Sequence, residues 1–92
     1  SNLDMRNQYE VMGLVRQVCR DRGIIAVAVI HDLNLALRFC DRFLFFHENT
    51  IFAAGDASVV NPENIRAVYG MEAAVAEIGG GRAVIPTSDG EL

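Results

Sequence analysis

The feature that most constrains the fold of this chain is a run of seven apolar residues, 24–30, followed directly by His31. A continuous apolar run of this length is typical of a strand buried on both faces, as in a parallel sheet covered by helices. Open α/β sheets bind their ligands where such strands end. A histidine there can donate or accept a hydrogen bond and change charge near neutral pH. His31 is therefore the first candidate functional residue, and the alternative is a strand-end histidine that hydrogen-bonds a carbonyl.

Helices are predicted on both sides of this strand. Residues 5–22 carry apolar side chains at helical spacing, with Asp4 as a suitable N-cap and Gly23 just past the end. Asp32 can cap a second helix over residues 33–40. The stripe on the first helix consists of Val11, Met12, Leu14, Val15, Val18 and Cys19.

The second half of the chain predicts two hairpins with a helix between them. Each hairpin has a turn sequence at its centre, and Asn61 followed by Pro62 is typical of a helix start. The predicted segments are strands 43–46 and 50–54, a helix from Pro62 to about Tyr69, strands 73–78 and 82–86, and a frayed tail, 87–92. The predicted order is α-β-α-β-β-α-β-β, and the predicted fold class is α/β.

This order leaves the strand at residues 24–30 without parallel neighbours, because the other strands belong to hairpins. A lone strand exposes unpaired backbone groups and an open edge. We therefore expect that another chain supplies the neighbours or that the piece rearranges, so that the 92-residue chain is dimeric or strand-swapped and is not a whole protein.

Charge, the length of the apolar run and cysteine spacing argue against several classes of function. The net charge is −4, with 8 basic and 12 acidic residues and no basic stripe, which argues against a nucleic-acid partner. The apolar run is far shorter than a membrane span. Cys19 and Cys40 do not form a C-x-x-C pair, so we expect reduced, packed thiols and no metal site.

Several motifs resemble one family in their order and spacing. Ser1-Asn2-Leu3-Asp4 resembles the D-loop of an ABC-transporter ATPase subunit, and the strand ending in His31-Asp32-Leu33 resembles its H-loop. Phe39-Cys40-Asp41-Arg42 is similar to the aromatic-Cys-Asp-Arg sequence that follows the H-loop in the family. Residues 61–70 and 81–86 resemble the end of importers for iron chelates, haem and vitamin B12.

The chain also departs from the family pattern. It has no G-x-x-x-x-G-K-[ST] phosphate loop, no Leu-Ser-Gly-Gly-Gln signature and no Walker B Asp-Glu pair. Gly79-Gly80-Gly81 is not followed by Lys and Ser or Thr, so a hairpin turn is the better interpretation. The resemblance then implies a partial P-loop NTPase fold that lacks the N-terminal nucleotide-binding half. Residues 1–92 would be the C-terminal fragment of one ABC ATPase domain, divided into 1–56, 57–86 and a tail, 87–92.

The resemblance implies ATP hydrolysis coupled to import in the intact parent, with ATP and Mg²⁺ as cofactors there and none in the fragment. His31 would contact the γ-phosphate. Asp4 would lie at the interface with a second ATPase subunit, while a simple helix cap is the alternative for this residue. The implied partners are that second subunit and transmembrane permease subunits, at the cytoplasmic face of the membrane. The alternative function is a non-enzymatic α/β module that self-associates.

Overall fold

The computed structural model describes residues 2–87, and of residues 2–4 it describes the backbone alone. The elements in chain order are α1 (Asn2–Arg22), α2 (Leu33–Phe39), β1 (Phe43–His47), β2 (Thr50–Gly55), a short 3-10 helix (Ala57–Val59), α3 (Pro62–Tyr69), β3 (Ala73–Ile78) and β4 (Gly81–Pro86). This mixture of helices and strands agrees with the predicted α/β class. The chain forms two compact units, Ser1–Phe39 and Cys40–Leu92.

In the first unit, α1 ends as its sequence predicts. Gly23 adopts a φ of 66°, and the N–H of Ile24 donates to the carbonyl of Cys19 at 3.1 Å. This is the hydrogen bond that satisfies a terminal carbonyl when a glycine closes a helix. The helix begins earlier than predicted, at Asn2, so the prediction of Asp4 as its N-cap is wrong. No Pro or Gly lies in residues 1–4, and nothing in the local sequence stops the helix from extending back past Asp4.

The predicted strand at residues 24–30 does not form. No strand among residues 2–87 pairs with it, and both sheets of the described chain are two-stranded antiparallel hairpins. Ile25, Val27 and Val29 are 92%, 89% and 88% exposed. A strand with two apolar faces needs a neighbouring strand on each side and helices that cover its faces. The described residues provide no neighbouring strand on either side.

The second unit contains the two predicted hairpins and the helix between them. β1 and β2 are antiparallel and are joined at Glu48 and Asn49, whose φ angles of 51° and 63° suit a tight hairpin turn. β3 and β4 are antiparallel and are joined by Gly79 and Gly80, with φ angles of 59° and 80°. The hairpin interpretation of the glycine run is therefore confirmed.

Helix α3 carries the predicted caps and the core of the second unit. The Asn61 side chain accepts from the N–H of Asn64 at 2.8 Å, Pro62 is the first helical residue, and Gly70 ends the helix with a φ of 69°. Ile65 on α3 is fully buried. The ring of Tyr69 lies edge-on to that of Phe45 on β1, with centroids 6.3 Å apart. The other buried apolar residues of this unit are Phe45, Val60, Ala73 and Val84.

Candidate functional site

His31 lies at a bend between the apolar segment, which is residues 24–30, and helix α2. Its side chain is exposed. Asp32, the next residue, explains why the chain bends at His31. The Oδ1 atom of Asp32 accepts hydrogen bonds from the N–H groups of Asn34 at 2.9 Å and Leu35 at 3.2 Å. Asp32 is thus the N-cap of α2, as predicted, and it turns the chain into the helix directly behind His31.

Contacts with α1 hold α2 in place. The rings of Tyr9 on α1 and Phe39 on α2 meet edge-on with centroids 5.6 Å apart. The Arg38 guanidinium lies 5.6 Å from the centroid of the Phe39 ring and 6.0 Å from that of Tyr9, within the range of a cation–π contact. A guanidinium nitrogen of Arg16 also donates to the Arg38 carbonyl at 3.2 Å. Because α2 is held at its far end and capped at its start, the backbone that presents His31 is fixed relative to α1.

The second predicted site residue is Asp4. Its backbone belongs to the first turn of α1, but its side chain lies outside the described part of the chain. The position of the Asp4 carboxylate relative to His31 is therefore not described, and the interface role of Asp4 stays a prediction.

Much of the apolar stripe of α1 is exposed in the structure. Val11 and Leu14 are 56% and 63% exposed. The stripe lines an open, wholly apolar groove of about 250 Å³ together with the start of the apolar segment. The groove residues are Leu14, Val15, Val18, Cys19, Ile24 and Ala26. The helical spacing predicted the face correctly, but it could not predict what covers that face.

A polar cluster in the second unit was missed because Arg42 and Arg82 are far in sequence from Asp56. The Asp56 carboxylate accepts from the Ser58 hydroxyl at 2.6 Å and from the Ser58 N–H at 3.0 Å. These hydrogen bonds, the hydroxyl bond first, lower the pKa of Asp56 against a smaller opposing effect of desolvation, and the charges of Arg42 and Arg82 lower it further. Arg82 also donates to the carbonyl of Ala57 at 3.1 Å, so the cluster connects β4 to the 3-10 helix.

The described residues contain no group of three or more His, Cys, Asp or Glu side chains that could hold a metal ion. Neither Cys19 nor Cys40 forms a disulfide. His47 is the last residue of β1, and its side chain is 36% exposed. Its Nε2 atom lies 3.9 Å from Oε2 of Glu48.

Among residues 2–87, no helix is both long enough and apolar enough to cross a membrane.

Comparison with known proteins identifies the class to which these features belong. The chain is 43% identical over 86 residues to an uncharacterized ABC transporter ATP-binding protein of Methanocaldococcus jannaschii, a match covering 94% of this chain and 34% of that protein. It is 41% identical over 76 residues to the hemin import ATP-binding protein HmuV of Bordetella avium, covering 82% of this chain and 29% of that protein. The HmuV protein of Deinococcus radiodurans is 38% identical over 78 residues, with 84% of this chain and 30% of that protein covered.

No protein-family model matches the chain. The chain is nevertheless a homologue of the ABC transporter ATP-binding proteins, because three such proteins match more than four fifths of its length at 38% to 43% identity. It spans about a third of the length of the curated relatives it matches, between 29% and 34%.

Proposed function

We propose that this chain is the C-terminal part, from the D-loop onward, of the ATP-hydrolysing subunit of an ABC importer. The observation that carries the proposal is the similarity to ATP-binding proteins, which extends over 94% of the chain and so includes His31. The proposed cargo is haem, an iron-siderophore or cobalamin, and two relatives named for hemin import support the first of these. The expected partners are a second ATPase subunit and the permease subunits, at the cytoplasmic face of the membrane.

In this proposal His31 contacts the γ-phosphate of ATP. Phosphoryl transfer is catalysed mainly by positioning and by stabilising the charge that develops on the transferred group. An imidazole N–H can donate to that charge if the side chain is free to face the nucleotide. The exposed side chain of His31, on a backbone fixed by the Asp32 cap, supports this role.

The other residues needed for ATP and Mg²⁺ are not among these 92. The chain has no phosphate-loop lysine and no hydroxyl for Mg²⁺ after Gly79-Gly80-Gly81, and those glycines form a hairpin turn. Without those groups, we do not expect the 92 residues to form a nucleotide site alone. When bound in the full protein, Mg²⁺ supplies charge neutralisation at the phosphates. The 92-residue chain alone is expected neither to bind nor to hydrolyse ATP.

Asp4 is proposed to lie at the interface between two ATPase subunits and to help couple their sites. Its backbone lies in the first turn of α1. Because α1 begins before Asp4, a cap of this helix no longer competes with that proposal.

The test is to identify the natural protein that carries this segment. We would capture it from source cells with an antibody against these residues, measure its intact mass and sequence its other peptides. A mass well above 10.1 kDa together with a G-x-x-x-x-G-K-[ST] peptide supports the proposal. A natural product of about this mass with no such peptide contradicts it, and the similarity would then reflect ancestry alone.

A further inference from the structure

Helix α2, which begins just after His31, is too short to be stable without contacts from other elements. It has seven residues, or about two turns. Isolated helices shorter than about 12 residues are marginal in water, and most of their stability in proteins comes from packing. The order of α2, and with it the position of His31, therefore depends on the groups that contact this helix.

The C-terminal end of α2 is held by a side chain of α1. The last carbonyls of a helix have no partner within that helix, and a following glycine often supplies one. Here Cys40 and Asp41 follow α2 instead of a glycine. A guanidinium nitrogen of Arg16, 22 residues away in sequence, donates to the Arg38 carbonyl at 3.2 Å. The end of α2 is thus completed from another element.

An aromatic contact reinforces the same end. The rings of Tyr9 and Phe39 meet edge-on at 5.6 Å, and the Arg38 guanidinium lies 6.0 Å and 5.6 Å from their centroids. A Cβ atom at Gly13 would lie 3.9 Å from Cε1 of Phe39, so this ring rests close to the α1 backbone. Tyr9, Gly13 and Arg16 are spaced by four and three residues, which places them on one face of α1.

This face of α1 is separate from the open apolar groove. The groove is lined by α1 residues that include Leu14 and Val18. Nine residues make about two and a half turns of an α-helix, so Val18 lies on the opposite side of α1 from Tyr9. The contact between α1 and α2 therefore joins described residues of the first unit to each other and does not involve the open surface.

We infer that Arg16 and Tyr9 are positioning residues for His31, a role that rests on the proposed contact of His31 with the γ-phosphate. They fix the end of α2, and this short helix carries the constraint to its start, where the N–H of Ala36 donates to the Asp32 carbonyl at 3.1 Å. Asp32 is joined directly to His31. A hydrogen-bond donor must be placed accurately to act on a reacting group, so loosening α2 lowers the rate without removing any group that touches ATP.

The experiment is a double-mutant cycle in the full-length protein, with kcat and KM for ATP hydrolysis as readouts. Arg16→Ala removes the donor to the Arg38 carbonyl and is expected to lower kcat about tenfold, with KM changed by less than about threefold. In the His31→Ala background the same substitution is expected to change kcat by less than about twofold, because its effect passes through His31. A purely structural role would give the same loss in both backgrounds.

Tyr9 provides a second pair of variants, in case Arg16→Ala does not fold. Tyr9→Leu keeps an apolar side chain that favours a helix but removes the ring, and it is expected to lower kcat about fivefold when His31 is present. Tyr9→Phe keeps the ring and should turn over like the wild type. The matched control for Arg16→Ala is Arg20→Ala, at an exposed arginine in the last turn of α1, which should leave kcat unchanged.

Hydrogen exchange of the full-length protein checks the physical cause. The backbone amides of residues 33–39 should exchange faster in Arg16→Ala and Tyr9→Leu than in the wild type or Arg20→Ala. Wild-type exchange rates in both variants, or equal losses of kcat with and without His31, would overturn the positioning role while leaving the proposed function intact. If His31→Ala alone leaves kcat unchanged, the γ-phosphate role fails, and the positioning role fails with it.

Discussion

His31 and Asp32 are neighbours in sequence, and the structure assigns them different tasks. The carboxylate of Asp32 is engaged with two backbone N–H groups at the start of α2. The side chain of His31 is exposed and is presented by the backbone that Asp32 fixes. The two residues differ because the short Asp32 side chain reaches the first N–H groups of α2. The imidazole of His31, one residue earlier, lies outside the helix and is exposed.

The proposed role of His31 predicts a separation of turnover from binding. In the full-length protein, His31→Ala should lower kcat by on the order of 100-fold, because a donor to the transferred phosphoryl group acts mainly in the transition state. Nucleotide affinity should change by no more than about threefold. Steady-state ATPase kinetics and equilibrium nucleotide binding measure the two quantities.

The chain offers a matched control for this test in its other histidine. His47 ends β1 beside the turn of the first hairpin, and His47→Ala should leave both kcat and affinity unchanged. Equal losses of turnover and affinity in His31→Ala would contradict the γ-phosphate role.

Asp56 predicts a pH dependence of stability at the residue scale. Hydrogen bonds from Ser58 lower the pKa of Asp56 below its ordinary value of 3.8. A carboxyl group with a lowered folded-state pKa contributes stability above its unfolded-state pKa and loses it as the pH falls through the folded-state value. Asp56→Asn should therefore melt below the wild type at neutral pH, and the difference should shrink as the pH falls below about 3.8.

A carboxyl titration followed by NMR checks the cause of that shift. In Ser58→Ala the strongest donor is lost, so the pKa of Asp56 should move back towards 3.8. An unchanged titration curve in this variant would mean that the hydroxyl does not set the pKa.

At the scale of the elements, the hairpins and helix of the second unit were predictable because their signals are local. Asn61, Pro62 and Gly70 specify the two ends of α3 through a side-chain cap, a fixed φ and a left-handed residue. Gly79 and Gly80 supply the positive φ angles that the second turn needs. The extent of α1 was less predictable, since a capping residue such as Asp4 marks a helix start only if the preceding residues leave the helix.

The end of β2 provides an element-scale prediction. Gly55 has a φ of 155°, and a Cβ atom there would lie 2.9 Å from Cγ1 of Val59 on the 3-10 helix. Gly55→Ala should therefore destabilise the protein by about 1–3 kcal/mol through backbone strain and steric overlap. The control is Gly81→Ala, whose Cβ would meet only the carbonyl of Ile78 at 3.7 Å, and whose melting temperature should barely change. Thermal denaturation of both variants measures the difference, and equal melting temperatures would refute the steric argument.

At the scale of the whole molecule, the two units differ in how far their apolar side chains are buried. Ile65 is 0% exposed, within a unit whose strands already have partners. The apolar segment and the stripe of α1 have the composition of a core but remain open. The second unit thus buries an apolar core of its own, whereas the apolar face of the first unit stays exposed.

This contrast predicts different costs for one substitution. Ile65→Ala should destabilise the protein by about 2–5 kcal/mol, because it removes buried methyl groups and leaves a cavity. Ile78→Ala, at a side chain of the same unit that is 62% exposed, should cost less than about 1 kcal/mol. Urea denaturation of the two variants provides the comparison, and similar midpoints would contradict the placement of the core.

The sequence alone determined the turns, the caps, the order of the local elements and the resemblance of His31 and its surroundings to an H-loop, because each depends on residues close together in the chain. Only the tertiary structure decided the state of residues 24–30. Whether an apolar segment forms a strand depends on which strands and helices lie beside it. The side-chain pattern indicates that neighbours are required, but it does not show whether they are present. The same physical reason explains why the apolar stripe of α1, whose helical spacing was read from the sequence, lines an open groove.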